Sequence, residues 1–286
     1  MLKFIDTHAH LNFDVFDKDL DEVIKKAIAK GIEKIIVPSA DKITSEKAFA
    51  ISQQFENIFM APGAHPLYLS GAGALFEENS SPSGFYLSDN SQRKTIFTLK
   101  ELIQLLKEKK AVAIGEVGLD YFKAPSRKNA INKNMQIEIL RKFFNLSLEL
   151  DKPLILHIRS SAKSYDAFYD LINLTKQYKI SPQAVVHCYA GDLDVTDKLM
   201  NLGFYFSFTR LIFYDQEVQE SLKKIPLDRI MLETDAPFLS SNEGERNEPA
   251  NLIDLAKKLA KLKNISLENL AKTTVETSER FFNLPG

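Results

Sequence analysis

The chain has five histidines, His8, His10, His65, His157 and His187, and each closes or directly follows a short apolar run of the kind that forms a buried strand. His8 and His10 alternate, so an extended backbone projects both rings to one side. Two acids sit in similar contexts: Glu116 in Gly115-Glu116-Val117-Gly118-Leu119-Asp120, and Asp235 in Leu232-Glu233-Thr234-Asp235-Ala236-Pro237. Four imidazoles and two carboxylates gathered in one place would bind Zn²⁺, Mn²⁺ or Fe²⁺, and carboxylate-rich sites also take Mg²⁺. Singly, each residue has an ordinary explanation: a surface pair for His8 and His10, an ion pair for Glu116, a helix cap for Asp235, a core histidine for His157. Six polar groups buried together without a ligand would carry a large desolvation cost. The conjunction therefore points to a metal centre.

Parallel strands are what would bring these residues together. Apolar runs at 3–8, 34–39, 58–65, 111–116, 153–158, 184–188, 203–208 and 229–235 alternate with helical stretches. Most are continuously apolar, as expected of strands covered on both faces. Leu20, Val23, Ile24, Ala27 and Ile28 form a helical stripe ended by Gly31, and Ile139, Phe143, Leu146 and Leu150 form another before Pro153. Further helices are predicted at 44–55, 98–109, 164–178, 192–202, 216–224, 250–263 and 266–281. Eight strands, each followed by a helix, predict an α/β fold, a (β/α)8 TIM barrel whose strand ends converge on one rim. An open doubly wound sheet would show a Gly-rich phosphate loop after its first strand, and none is there. Residues 1–286 read as a single domain with a Gly/Ser/Asn-rich loop insertion at about 70–95. Because it follows the third strand, that insertion is expected over the rim, as a substrate-selecting lid or a plain insertion.

Composition narrows the function classes. Lys and Arg number 37 against 38 Asp and Glu, and 44% of residues are hydrophobic, which excludes a disordered or collagen-like chain. A net charge of −1 argues against gripping nucleic acid with the whole surface, though not against a local basic mouth. The single cysteine, Cys188, rules out an internal disulfide and suits a reducing compartment. With no independent histidine to activate it, Cys188 reads as a packing residue rather than a nucleophile. The opening Met1-Leu2-Lys3-Phe4-Ile5-Asp6 lacks the apolar stretch of a signal peptide, and no apolar run approaches a membrane span. A cytoplasmic protein that stays off membranes is expected.

The ordered motifs resemble a known family. They are Asp6-Thr7-His8-Ala9-His10-Leu11, Gly63-Ala64-His65-Pro66, the glycine-flanked Glu116 segment running on to Tyr121, Gln136, and Lys152-Pro153-Leu154-Ile155-Leu156-His157-Ile158-Arg159. His187-Cys188-Tyr189, Glu233-Thr234-Asp235-Ala236-Pro237 and Arg246-Asn247-Glu248-Pro249 complete them. Together they closely resemble the TatD-related metal-dependent hydrolases, a branch of the amidohydrolase-like barrels, over nearly the whole chain.

That resemblance implies the (β/α)8 fold and a site for two divalent metal ions. His8, His10, Glu116 and Asp235 would surround one; Glu116, His157 and His187 would surround the other, with Glu116 bridging. It implies hydrolysis of phosphodiester bonds in DNA, commonly exonucleolytic, with Mg²⁺, Zn²⁺ or Mn²⁺ as the ion. Single-stranded or frayed DNA ends are the expected partner; the sequence leaves the oligomeric state open, a monomer being compatible with it. In such a site Glu116 and Asp235 are the catalytic carboxylates, and Asp235 is positioned to accept a proton from the attacking water. Arg159, two residues past His157 and so on the same strand face, is placed to clamp a phosphate. His65 is expected to touch substrate or stand behind the ligands rather than ligate, and Glu233 to support the ligands from behind or to hold an accessory metal. Tyr121, Phe122 and Tyr189 are candidates to stack on bases, with core packing as the competing reading. Lys123, Arg127, Lys128 and Lys133 form a basic cluster that could track a phosphate backbone or be a solvated helix start.

Three departures bear on substrate. The stretch before Asn247 carries Glu243 and Glu245, which would repel a polyanion; Arg210 stands where glycine is common; and the 70–95 insertion is long. The leading expectation is a deoxyribonuclease. A metal-dependent esterase or amidase on the same scaffold, such as an aminoacyl-tRNA deacylase, is the first alternative. A non-catalytic nucleic-acid-binding module is the second, disfavoured by the complete ligand set and the neutral charge.

Overall fold

All eight apolar runs contain strands in a computed structural model that describes residues 1–68, 98–122, 132–178, 183–242 and 244–285. The 70–95 insertion, Lys123, Arg127, Lys128 and Glu243 lie outside the described residues. The strands are β1 (Phe4–Asp6), β2 (Ile32–Pro38), β3 (Ile58–Ala61), β4 (Ile114–Asp120), β5 (Leu154–Arg159), β6 (Ala184–Val186), β7 (Tyr205–Phe208) and β8 (Ile230–Leu232). Every pairing is parallel and between sequence neighbours, from β1 to β3 and from β4 to β8.

Backbone hydrogen bonds continue across both gaps. Met60 accepts from Val112 N at 3.0 Å and donates to Lys110 O at 2.9 Å, joining β3 to the approach of β4. Thr7 N donates to Leu232 O at 3.0 Å, and Asp235 N to His8 O at 2.9 Å, joining β8 to β1. The circuit is that of a (β/α)8 barrel.

Two-residue alternation divides the core into two layers. Ile5, Ile36, Phe59, Ile155, Val185 and Met231 form one cluster with Phe281, Phe282 and Leu284 at the end of the chain. Their neighbours Phe4, Ile35, Met60, Leu156, Val186, Phe206 and Leu232 belong to a larger one with the helices. The helices on that outer layer are α1 (Leu20–Ala29), α2 (Lys42–Gln54), α3 (Leu99–Leu106), α4 (Lys133–Leu150), α5 (Asp166–Thr175), α6 (Leu193–Asn201), α7 (Gln216–Lys224), α8 (Leu252–Lys263) and α9 (Leu267–Phe282). Side-chain caps set several starts: Asp41 accepts from Thr44 N, Thr98 from Glu101 N, and Asp192 from Val195 N. None of the described helices is long and apolar enough to cross a membrane.

The fourth strand differs from its predicted span of 111–116. It begins at Ile114 and runs on to Asp120, because Val117 and Leu119 are buried among the helices while Gly118 lets the chain press against β5. A Cβ on Gly118, whose φ is +151°, would lie 1.9 Å from the His157 carbonyl oxygen. Glu116 therefore sits inside its strand rather than at its end.

Candidate metal centre

The parity that fills the barrel also aims the site. Ile155, His157 and Arg159 share one face of β5, and His187 follows Val185 by two residues just beyond β6. Above the apolar layer the interior positions become polar, and those side chains meet in the mouth. His8 and His10 leave the end of β1, and Asp235 leaves the end of β8.

Asp6 fastens these last two segments. Its fully buried carboxylate accepts from Thr234 N at 3.0 Å, Thr234 Oγ1 at 2.6 Å and His8 N at 3.3 Å. Burial pushes its pKa up to about 7 against those donors. Arg246 pairs with Asp19 and Glu248, and Asn247 donates to Thr234 O at 2.9 Å. The Arg-Asn-Glu-Pro motif thus ties the loop after β8 to the start of α1.

Glu116 lies at the centre, with its two oxygens turned to different partners. Oε2 is 3.4 Å from His8 Nε2 and 3.5 Å from His10 Nε2. Asp235 Oδ1 is 3.6 and 3.5 Å from the same two nitrogens, which are themselves 3.2 Å apart. Oε1 is 2.9 Å from His157 Nδ1 and 2.8 Å from His187 Nε2, themselves 3.1 Å apart.

Nitrogen and oxygen donors at about 2.1 Å from an ion in tetrahedral or octahedral array stand roughly 3.0–3.4 Å from one another. The spacings run from 3.2 to 3.6 Å around His8 and His10 and from 2.8 to 3.1 Å around His157 and His187, close to that range on each side of Glu116. Burial opposes ionisation of Glu116, but the imidazoles of His187 and His157, both within hydrogen-bonding distance, outweigh it and hold the carboxyl well below the usual range. Burial likewise opposes ionisation of Asp235, whose pKa is nevertheless lowered by His10, His8 and His187. Both carboxyls are held in the charged form a cation needs.

Carboxylates stand behind the second group. Asp120 Oδ2 is 3.2 Å from His157 Nε2, and Glu233 Oε1 is 3.5 Å from His187 Nδ1. Glu233 is fixed by Cys188 N and Ser207 Oγ, each at 2.5 Å. Sequence reasoning alone gives Asp120 no role. The signal that points to it is its spacing: Glu116, Gly118 and Asp120 share a strand face. Gln136 on α4 grips the Asp120 backbone from both sides, accepting from its N at 2.7 Å and donating to its O at 3.0 Å.

His65 Nε2 lies 3.5 Å from Glu116 Oε1, and its Nδ1 accepts from Leu67 N at 3.1 Å. That acceptance puts the ring proton on Nε2, directed at Glu116 rather than leaving a lone pair there. Burial lowers the His65 pKa to about 3, so the ring is neutral.

A cavity of about 520 Å³ opens over these groups, lined also by Arg159, Phe13, Phe238 and Tyr165. Arg159, 40% exposed at its side chain, has Nε 3.8 Å from Asp120 Oδ1 and its guanidinium 4.2 Å from the Phe122 ring centroid.

Tyr121 requires a correction. It is not in the cavity: alternation after Asp120 turns it outward, where it is 4% exposed, and its hydroxyl donates to Asp170 Oδ2 at 2.9 Å. Tyr189 is likewise buried and bonded to Thr196 at 2.7 Å. The exposed rings are instead Phe238, which lines the cavity, and Phe122, which reaches it only through its contact with Arg159. Cys188 lines the cavity, but burial raises its thiol pKa well above normal, leaving it protonated.

Known proteins match the chain in sequence and in fold. The family model described as TatD related DNase matches residues 5–283. The Bacillus subtilis protein YabD, named as a metal-dependent hydrolase, is 32% identical, with 98% of each chain covered. A Danio rerio protein named as a candidate deoxyribonuclease, tatdn3, is 29% identical over 98% of this chain and 97% of its own. Among solved structures, the Escherichia coli TatD homologue YJJV superposes with a TM-score of 0.78 at 26% identity, covering 99% of this chain and 98% of that one. On these matches, the chain belongs to the TatD family of metal-dependent hydrolases.

Proposed function

We propose that the protein is a deoxyribonuclease using two divalent ions held by His8, His10, Glu116 and Asp235 on one side, and Glu116, His157 and His187 on the other. The observation that carries this reading is the division of Glu116, with Oε2 toward His8 and His10 and Oε1 toward His157 and His187. Mg²⁺, Zn²⁺ or Mn²⁺ suits the mixed donor set, and such ions supply Lewis acidity toward phosphoryl oxygens and acidify water.

The chain's own groups do the rest. Asp235, ionised and 13% exposed at its side chain, is placed at the cavity to take the proton from an attacking water. Arg159 presents its planar guanidinium to a phosphate, steadied from below by the Phe122 ring. His65, neutral, donates from Nε2 within the site. Phe122 and Phe238 offer faces to unpaired bases, which favours single strands or frayed ends, since stacking is tolerant of sequence. The reading takes the chain as one monomeric catalytic domain working in the cytoplasm.

The test is turnover of end-labelled single-stranded DNA with Mg²⁺, with Mn²⁺ and with chelator, for wild type and His10→Ala. Wild type should shorten the strand only with metal, and the variant should lose at least about 100-fold. Cleavage surviving both chelator and substitution rejects the reading. Intact DNA beside metal-dependent deacylation of an aminoacyl-tRNA would transfer the site to carbonyl chemistry.

A further inference from the structure

Beside the metal cavity lies a second one of about 510 Å³, whose wall carries Arg210, Lys257, Lys258 and Lys261. The three lysines come from α8, where positions 254, 257, 258 and 261 fall on one face. Asp254 engages Lys257 at 3.3 Å. The other carboxylate on the wall, Glu233, is buried and already bonded to Ser207 and Cys188. Arg210, Lys258 and Lys261 have no carboxylate partner among the described residues. Arg210 and Lys258 both lie over the Phe213 ring, at 4.4 and 5.8 Å from its centroid. One aromatic ring thus carries two like charges on the wall of a shared concavity, where an anion would relieve their repulsion.

The two cavities share a partition one chain thick. Leu211, Asp235 and Leu239 line the metal cavity. Arg210, Thr234 and Ser241, from the same two loops, line the basic one. A polyanion leaving the metal centre over this partition meets uncompensated cations at once.

We infer that the basic cavity holds backbone phosphates of a nucleic-acid strand, next to the phosphodiester at the metal centre; this rests on the nuclease reading above. It gives the enzyme a local positive track that its net charge of −1 conceals.

The test compares metal-loaded wild type with Lys258→Gln/Lys261→Gln and with Arg210→Gln. Three readouts are used: binding of a short phosphorothioate single strand across a salt series, binding of inorganic phosphate, and hydrolysis of the ordinary strand against bis(p-nitrophenyl) phosphate, a small diester. The double variant should weaken strand binding about tenfold and flatten the log–log salt slope by about 0.7 for each phosphate no longer neutralised. KM for the strand should rise with kcat held, and turnover of the small diester should stay within about twofold of wild type. Unchanged strand affinity and slope overturn the inference. So does loss of inorganic phosphate binding with strand affinity intact, which would make the cavity a site for a free anion. If the wild type leaves DNA uncut but its strand affinity still depends on these lysines, the nuclease reading fails and the cavity assignment stands.

Discussion

Asp120 Oδ2 lies 3.2 Å from His157 Nε2, on the far side of the ring from the nitrogen that approaches Glu116. A carboxylate in that position keeps the ring proton on Nε2 and leaves the Nδ1 lone pair for a cation. Asp120→Asn should lower affinity at the second metal position about 10–100-fold while sparing the first. Calorimetric titration of the metal-free protein would show it as one weakened site of two. Equal weakening of both, or none, would remove Asp120 from this role.

Glu116 is the one side chain common to both groups. Glu116→Gln keeps the shape but removes the negative charge that, on the proposed function, would hold two cations close together. Bound metal, measured by elemental analysis after gel filtration, should fall at both positions, and turnover should drop at least about 100-fold. Retention of two ions per chain contradicts the bridging assignment.

Protons and metal ions compete for the same nitrogens. Burial works against charge on His187 and His157, but Glu116 and Glu233 raise the first well above its ordinary value, and Asp120 and Glu116 raise the second. Metal binding must displace those protons, so affinity should climb by up to about tenfold per pH unit for each proton released, across the raised pKa values. The metal-free chain responds in the opposite sense. A raised folded pKa contributes stability that is complete below the unfolded value of about 6.5 and is lost as pH rises through the folded one. Thermal melts of metal-free and loaded protein should therefore diverge with increasing pH. Parallel curves would be evidence against protonated imidazoles in the metal-free site.

Gly118 is required by the packing of β4 on β5. An added Cβ would fall 1.9 Å from the His157 carbonyl oxygen, at a φ of +151°. Gly118→Ala should cost about 2–4 kcal/mol of stability, read as a lower urea midpoint, and should disturb the second metal position through His157. A shift below about 0.5 kcal/mol would show that the strands can separate at little cost.

On the proposed function Arg159 acts on substrate only. Arg159→Ala should raise KM for DNA with metal content unchanged, and Arg159→Lys should restore it in part, because an ammonium supplies charge without the planar fork. A change in metal stoichiometry would mean that Arg159 works through Asp120 instead, which its Nε approaches to 3.8 Å.

The sequence by itself determined the rhythm of eight strands, the donor types and, through two-residue spacing, that His157 and Arg159 share a face. Those properties are local: apolar runs, alternation and the chemistry of each side chain are present before the chain closes. Its reach ends where positions depend on distant partners. The run at 111–116 reads as complete, but the strand it announces extends to Asp120, because burial against the helices and β5 carries it on. Tyr121 reads as available to bases, yet the shift of one residue past Asp120 turns it into the core. Only the tertiary structure turned the two oxygens of Glu116 to different histidines, locked Asp6 of β1 to Thr234 beyond β8, more than two hundred residues away, and set Arg210 against the lysines of α8. Closure of a barrel decides such pairings, since it is what brings groups remote in sequence within bonding distance.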